Sequence, residues 1–239
     1  MCAVMLASGL ACAVASTAYE EKQLTTIQRY ILVVNSMTCL IAAYHYRQLE
    51  NIVTSAAHSG LKHTAPTRAD IEEMQFRCSI VRYGDWVVTL PLLALDVALG
   101  NCVGDGSDCA DTDAALKTAL TASICLVVVV LLGSLQEFSS DFKLSRLTLK
   151  PWTVFAVACV FLGVAVYYLM EPGDEQGVYT YFILPWFAYG LFAAFKAFVR
   201  LPFHFAAVDI VYGTLDMWSK AGLALVTLWK FSTLHSTAS

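Results

Sequence analysis

The stretch that decides the fold is FAAVDIVYGTLDMWSKAGLALVTLW, residues 205–229. It belongs to an apolar segment at 205–231 that is long enough to cross a bilayer as a helix. Asp216 and Lys220 lie near its middle, and their spacing of four residues puts both side chains on one helix face. A charge at this depth costs several kcal/mol unless it is paired, neutralised or used. The pattern indicates an internal ion pair.

The buried lysine has a second interpretation. A desolvated lysine is the residue type that forms Schiff bases with aldehydes, so Lys220 is a candidate covalent attachment site. The alternative is a lysine that only bridges its helix to a neighbouring one. This segment alone does not separate the two.

The composition indicates a membrane protein. Of the 239 residues, 58% are hydrophobic and only 14% are charged, which is too apolar for a soluble domain of this size. The first apolar run lacks the basic start of a signal peptide, so we interpret it as a membrane helix. We predict an all-α membrane protein, a seven-transmembrane-helix bundle that forms one domain over 1–239. The predicted spans are about 1–19, 27–48, 79–100, 114–136, 151–170, 178–199 and 205–231.

The charge and the connections between the spans give no sign of nucleic-acid or metal binding. The net charge is −4 and no basic patch occurs, so no nucleic-acid partner is predicted. The polar connection at 49–78 is the longest, and we expect a short hairpin or cap in it. The acidic connection at 101–113 lacks the ligand spacing of a calcium loop, and we predict no metal site. Cys102 and Cys109 share that connection and can pair, although nothing in the sequence requires it.

The third span carries a second informative pattern, RYGDWVVTLPLLALD at 82–96. At about 100° per residue, one narrow stripe of this helix holds five side chains. Its two carboxylates are about 16 Å apart along the axis, about half the hydrocarbon thickness, which suits proton transfer above and below a central site. The alternative is a polar stripe that serves only helix packing. The stripe consists of Arg82, Asp85, Thr89, Leu93 and Asp96.

Four motifs together resemble the microbial rhodopsins, seven-helix membrane photoreceptors that bind retinal. They are RYGDWVVTLPLLALD, LDMWSK at 215–220, PWFAYG at 185–190 and AAYHY at 42–46. The last is similar to the proteorhodopsin branch. The order and spacing of the first two match the family, and the seven apolar runs fill the chain.

The resemblance implies that Lys220 holds all-trans retinal as a protonated Schiff base, with Asp85 and Asp216 as its counterions. Asp85 is then the primary proton acceptor, and Asp96 is the donor that returns a proton. A protonated imine in a low-dielectric pocket needs carboxylates nearby, so the residue types agree with these roles.

Three further residues receive proton-transfer roles from the resemblance. Arg82 is expected on the release side, and Thr89 lies between the two carboxylates of its helix. His45 is expected to tune Asp85, since a histidine beside a carboxylate can adjust its protonation. Taken alone, His45 is more often a satisfied polar residue at a helix end.

The resemblance also implies an aromatic retinal pocket. Trp86 and Trp186 are expected to sandwich the polyene, and Trp152 to close the pocket at the ring end. Tyr46 and Tyr189 are expected to bond to the aspartate of the last helix.

Some positions are expected to shift colour or to depart from the family. Leu93 favours green absorption, whereas Ser219 beside the lysine should shift absorption toward blue. Gly190 and Ala193 replace larger family residues and should loosen or reshape the pocket. The family's pair of release glutamates is missing, and Asp209 is a candidate substitute, with a solvated carboxylate at a helix start as its alternative.

The orientation in the membrane has two opposing indications. The usual family orientation puts the N-terminus outside and the acidic connections 101–113 and 171–177 in the cytoplasm. The basic residues of the connections concentrate on the other side, which would invert the protein by the positive-inside rule. We keep the family orientation, because the expected chemistry is internal to the bundle.

The function predicted from these residues is a light-driven proton pump, outward in the family orientation, rather than an enzyme. The alternative is a light-gated ion channel, because some channel relatives share the Asp–Thr–Asp pattern; a photosensor or a transporter without retinal is weaker. The expected partners are the lipid bilayer, most naturally the cell membrane, and protons or other small ions. A homo-oligomer such as a trimer or pentamer is compatible, but no motif decides it.

Overall fold

The computed structural model describes residues 1–19, 24–63, 68–103, 109, 111–138, 151–170, 184–193 and 205–236. The regular structure in these ranges is helical throughout, without strands. The first six helices are α1 Cys2–Ala18, α2 Thr26–His63, α3 Arg68–Cys102, α4 Thr112–Phe138, α5 Pro151–Leu169 and α6 Leu184–Ala193. The seventh runs through α7 Phe205–Asp216, a π-helical turn Met217–Gly222 and α8 Leu223–Ser236.

The helices form the seven-helix bundle that the apolar runs predict. Each of α1 to α4 packs against the next helix in the chain, and the seventh helix returns onto α1 and α2. Short connections favour this order, because consecutive helices become antiparallel neighbours. Asp85, Asp216 and Lys220 are buried inside the bundle.

The outer surface is apolar, as a lipid environment requires. Four helices of the described part, α2 to α5, are long and apolar enough to cross a membrane. Large apolar side chains cover the outside, among them Val14, Leu120, Val160 and Tyr167, each more than half exposed. So large an exposed apolar area is unusual for a soluble monomer, and it fits contact with lipid tails.

The prediction that 49–78 is a polar connection between two helices is wrong for most of its length. Helix α2 continues to His63 and α3 begins at Arg68, so neither a hairpin nor a cap separates them within the described residues. Its 38 residues make α2 about 57 Å long, well beyond the hydrocarbon thickness of about 30 Å. The polar residues therefore extend a helix past the membrane, where water can solvate them. The ends of the predicted sixth span, 178–183 and 194–199, lie outside the described residues.

Cys102 and Cys109 form a disulfide. The bond joins the last residue of α3 to the acidic connection that leads into α4. The sequence permitted this pairing without requiring it.

Two apolar clusters hold the bundle together. One joins α3, α4, α5 and α6 to the seventh helix and contains Leu93, Trp186 and Leu223. The other joins α1 and α2 to α3 and the seventh helix and contains Leu99 and Phe231. Helix α3 and the seventh helix contribute residues to both clusters, so the helices that carry Asp85 and Lys220 are linked to the rest of the bundle.

Helix α1 approaches α2 closely at Gly9. A Cβ atom at this position would lie 3.1 Å from the Cβ atom of Cys39 and from Cγ of Leu40. Gly163 on α5 has no such neighbour within 4 Å. The two glycines therefore provide a matched pair for testing this packing.

We expect Gly9→Val to lower the melting temperature by several degrees, because overpacking a tight contact costs about 1–3 kcal/mol. Gly163→Val should leave it nearly unchanged, since its side chain enters open space. Thermal unfolding of the detergent-solubilised protein measures both. Equal melting temperatures for the two variants would contradict the close α1–α2 contact.

Candidate functional site

The centre of the site is the Lys220 ammonium, which has almost no contact with solvent. Lys220 is 1% exposed and lies in the π-helical turn of the seventh helix. Its Nζ donates to Oδ2 of Asp85 on α3 and lies 3.4 Å from Oδ1 of Asp216. A single cation is therefore buried between two carboxylates, which is the arrangement that compensates its desolvation. π-Helical turns are rare and frequently mark functional sites.

Three hydrogen-bond donors from three different helices hold the Asp216 carboxylate. Tyr46 on α2 donates to Oδ2 at 2.7 Å, and Trp86 on α3 donates its indole N–H to Oδ1 at 3.1 Å. Tyr189 on α6 also donates to Oδ1. These donors fix the orientation of the carboxylate beside Lys220 and occupy its lone pairs.

Asp85 has a different second partner. The Nδ1 atom of His45 lies 3.0 Å from Oδ1, opposite the oxygen that contacts Lys220. The His45 side chain is 21% exposed, whereas Asp85 is buried. Thr89 donates its hydroxyl to the backbone carbonyl of Asp85 at 2.9 Å, so it bonds to the helix and not to the carboxylate. Asp85 therefore connects the lysine to a second titratable side chain, on α2.

Asp96 lies in a much less polar environment at the other end of the α3 stripe. It is 1% exposed, and Asn35 on α2 donates to its Oδ1 at 2.9 Å. Its Oδ2 has no hydrogen-bond partner. Asn35 was not singled out in the sequence, although a carboxamide in the middle of an apolar run is itself a signal of function.

Arg82 marks the opposite end of the site. Its guanidinium forms an ion pair with Asp209 at the start of the seventh helix and lies over the Tyr212 ring, 4.9 Å from the ring centroid. Arg82 is buried and Asp209 is about a third exposed. Asp209 is therefore held against the arginine, and it is not a free solvated carboxylate.

A cavity beside Lys220 is lined almost entirely by apolar and aromatic side chains. Trp86 and Trp186 both line it, and the Nε1 atom of Trp186 is buried without a partner. Tyr189 and Tyr212 stack on each other with ring centroids 5.9 Å apart. The cavity walls come from α3 to α6 and the seventh helix, and the remaining lining includes Leu90, Leu126, Leu162, Gly190 and Ala193.

These residues fit retinal. A flat, conjugated, apolar chain needs aromatic walls, and a cationic end needs carboxylates. The cavity supplies the first, and its polar end at Asp216 and Ser219 lies next to Lys220 in the sequence and in space. Gly190 and Ala193 both border the cavity, where their small side chains leave room.

Three other predicted pocket residues occupy distinct places. Leu93 is buried against Trp186. Ser219 borders the cavity and donates its hydroxyl to the backbone carbonyl of Asp216 at 3.3 Å. The structure does not bring Trp152 to the cavity, because that side chain is 62% exposed near the start of α5. The α5 wall comes from Leu162, ten residues later and about 15 Å along the helix.

A second polar group at the Arg82 end was also missed. Glu137 at the end of α4 accepts hydrogen bonds from Ser79 at 2.7 Å and from Tyr83 at 2.9 Å. Tyr83 also borders the cavity. The sequence signal is a lone glutamate directly after a long apolar run. The spacing along α4 does not indicate that this glutamate faces α3.

Known structures share this fold. Xanthorhodopsin, described as a light-driven ion pump with a dual chromophore, is 16% identical, with a TM-score of 0.71 over 99% of this chain and 89% of that one. The rhodopsin of Exiguobacterium sibiricum is 18% identical, with a TM-score of 0.68 over 99% and 94%. Acetabularia rhodopsin I is 21% identical, with a TM-score of 0.66 over 98% and 92%. At these identities the likeness shows the fold.

The family assignment comes from the sequence as a whole. No curated protein sequence matches the chain. The family model for bacteriorhodopsin-like proteins, however, matches residues 1–234. The chain therefore belongs to the bacteriorhodopsin-like family of microbial rhodopsins, multi-pass integral membrane proteins that bind retinal and are known as light-driven transporters.

Proposed function

We propose that this protein is a light-driven proton pump that carries retinal on Lys220. The observation that supports this most directly is the pair of buried carboxylates on α3. Asp85 contacts the Lys220 nitrogen, and Asp96 lies about 16 Å farther along the same helix. One carboxylate can take a proton from the nitrogen and the other can return one from the opposite side.

When bound, retinal supplies a light-driven isomerisation that changes the direction and basicity of the nitrogen to which it is attached. The residues of the chain determine where the proton goes. Asp216 already accepts hydrogen bonds from Tyr46, Trp86 and Tyr189, so fewer of its lone pairs are available to a transferred proton. Asp85 accepts the proton on Oδ2, and the proton's arrival neutralises one of the two counter-charges.

His45 assists the acceptor. Its contact with Oδ1 of Asp85 lets the imidazole adjust to the carboxylate's change of charge. The imidazole belongs to α2, so it couples the acceptor on α3 to a neighbouring helix.

Asp96 acts as the proton donor. Among the described residues no cation forms an ion pair with it, and only the Asn35 amide bonds to it. A dry site of this kind stabilises the neutral acid over the carboxylate. Asp96 can therefore hold a proton until the Lys220 nitrogen becomes basic and available.

Release takes place at the Arg82 end. Neutralising Asp85 weakens the field that attracts the Arg82 guanidinium inward, and the ion pair with Asp209 holds Arg82 at the solvent-facing end. A guanidinium that moves toward Asp209 brings its positive charge closer to the polar groups at this end. That charge stabilises their deprotonated forms, so one of them loses a proton. The Asp209 carboxylate thus takes the place of the family's missing release glutamates.

The direction of transport follows from the orientation. Protons enter at the Asp96 end and leave at the Arg82 end, which is outward when the N-terminus lies outside, as in the usual family orientation. The loop charge bias favours the reverse orientation, in which the same residues would carry protons inward.

Current–voltage curves of the illuminated protein, recorded in a membrane of known sidedness, test the function. A pump current should keep its sign across the voltage range, and an uncoupler should abolish the accompanying pH change. A current that reverses with the ion gradient would establish the light-gated channel in place of the pump. A photocycle without current would establish a photosensor.

The covalent site has its own test. Lys220→Ala should remove all visible absorbance after retinal is added, because the amine that carries the chromophore is gone. Lys117→Ala, which changes an exposed lysine on α4, should keep the full absorbance. Colour that survives in the Lys220 variant would refute the attachment.

The release role of Asp209 is tested by removing its charge. Asp209→Asn leaves the buried Arg82 guanidinium without its carboxylate, so we expect proton release to be delayed by about tenfold while Asp85 is still protonated on time. Asp209→Glu keeps the charge and should release at nearly the normal rate. A pH-sensitive dye on the release side, compared with the visible absorbance changes, measures the delay. Unchanged release in the Asn variant would contradict the role.

A further inference from the structure

Two buried polar atoms near the donor have no hydrogen-bond partner. One is Oδ2 of Asp96 on α3, and the other is the hydroxyl oxygen of Thr227 on α8. Both residues are 1% exposed. An unpaired polar atom inside an apolar core costs about 1–3 kcal/mol, so two of them in one region need an explanation.

Helical spacing places the two residues on the helix faces that meet at Lys220 and Asp85. Thr227 follows Lys220 by seven residues, which returns it to the same face of the seventh helix, and Asp96 follows Asp85 by eleven residues on α3. Lys220 contacts Asp85 directly, so these two faces are opposed. The π-helical turn ends at Gly222, and Thr227 lies in the regular helix beyond it.

The apolar packing places both of them on the same side of Lys220. Leu93 and Leu223 share one cluster, and Leu99 shares the other with Ala224 and Phe231. Asp96 lies between Leu93 and Leu99 in the chain. Thr227 lies between Ala224 and Phe231, so both polar groups belong to the region where these clusters join α3 to α8.

The Thr227 hydroxyl also behaves differently from other helical threonines of this protein. Thr38, Thr89 and Thr214 each donate to the carbonyl four residues earlier, at 2.8–2.9 Å. This back-bonding is the usual way to satisfy a threonine in a membrane helix. The hydroxyl of Thr227 makes no such bond, and it is available to a group in the bundle interior.

We propose that Thr227 and Asp96 together bind a buried water molecule, and that Thr227 is a positioning residue for the return of the proton to Lys220. A buried water typically makes about three hydrogen bonds to otherwise unsatisfied polar groups, and Oδ2 and the hydroxyl provide two partners. This role rests on the proposed pump function; the water site itself does not.

The proton balance of this step is simple. Asp96 gives its proton to the water, and the water passes one of its own protons on toward the Lys220 nitrogen. The water is unchanged at the end of the step, and Asp96 is left as a carboxylate. A proton taken up from the Asp96 side of the membrane then reprotonates Asp96. Thr227 lies about 10 Å along the axis from Lys220, between the donor and the nitrogen, and its hydroxyl orients the water for this transfer.

The test compares Thr227→Val, Thr227→Ser and Thr214→Val in the full-length protein with retinal. Infrared spectra of the dark state give the carbonyl stretch of protonated Asp96, identified by its loss in Asp96→Asn. We expect Thr227→Val to shift this band and to remove an O–H stretch that moves in H₂¹⁸O. We also expect it to slow reprotonation of the Lys220 nitrogen roughly three- to tenfold, as the loss of one hydrogen bond would.

The two other variants are controls. Thr227→Ser keeps the hydroxyl and should restore both the band and the rate. Thr214→Val removes an exposed, back-bonded hydroxyl from the same helix and should change neither. Should Thr227→Val misfold, Thr227→Ala replaces it, with visible absorbance as the check of folding.

The outcomes separate the two proposals. A carbonyl band and a reprotonation rate that are both unchanged in Thr227→Val would overturn the inference. If Thr227→Val shifts the Asp96 carbonyl band but the protein transports no protons under light, the water site is supported and the pump function is refuted.

Discussion

The charge balance among Lys220, Asp85 and Asp216 controls the arrangement of everything around it. One cation and two carboxylates are buried together at mid-depth, where none of them would be stable alone. The excess negative charge is stabilised by neutral donors to Asp216 and by the imidazole at Asp85. Those donors come from α2, α3 and α6, so the requirement for a satisfied charge cluster determines how these helices must face.

The two carboxylates of α3 differ because their environments differ, and not because of their own chemistry. Asp85 has a cation on one oxygen and a histidine on the other. Asp96 has one amide and an apolar surround. The first site suits a carboxylate that receives a proton, and the second suits an acid that keeps one. In the proposed pump, a short segment of one helix therefore holds two identical side chains in opposite resting states.

Much of this could be predicted from residues whose presence in an apolar segment is costly. Asp85, Asp96, Asp216 and Lys220 were identified because buried charges at helical spacing have few explanations. The helix count followed from the lengths of the apolar runs. The extent of α2 could not be predicted, since polar residues at a membrane surface fit a helix or a loop equally well. Trp152 shows the same limit, because a tryptophan at a helix end fits a pocket or a lipid-facing surface.

Partners that depend on contacts between helices were the hardest to anticipate. Asn35 meets Asp96, and Glu137 meets Tyr83, only after the bundle assembles. The spacing of residues along one helix does not indicate which residue of a neighbouring helix faces a given side chain. The π-helical turn at Lys220 is similar, because its widened backbone has no signature among MWSKAG that distinguishes it from an ordinary turn.

The bond between Cys102 and Cys109 makes the two ends of the bundle chemically distinguishable. It closes the connection next to the Asp96 end, and such bonds persist in oxidising compartments while cytosolic thiols are kept reduced. In the native membrane, the oxidation state of these two sulfur atoms would record which compartment borders that end. A covalent link far from Lys220 thus reports how the protein is oriented between the two compartments.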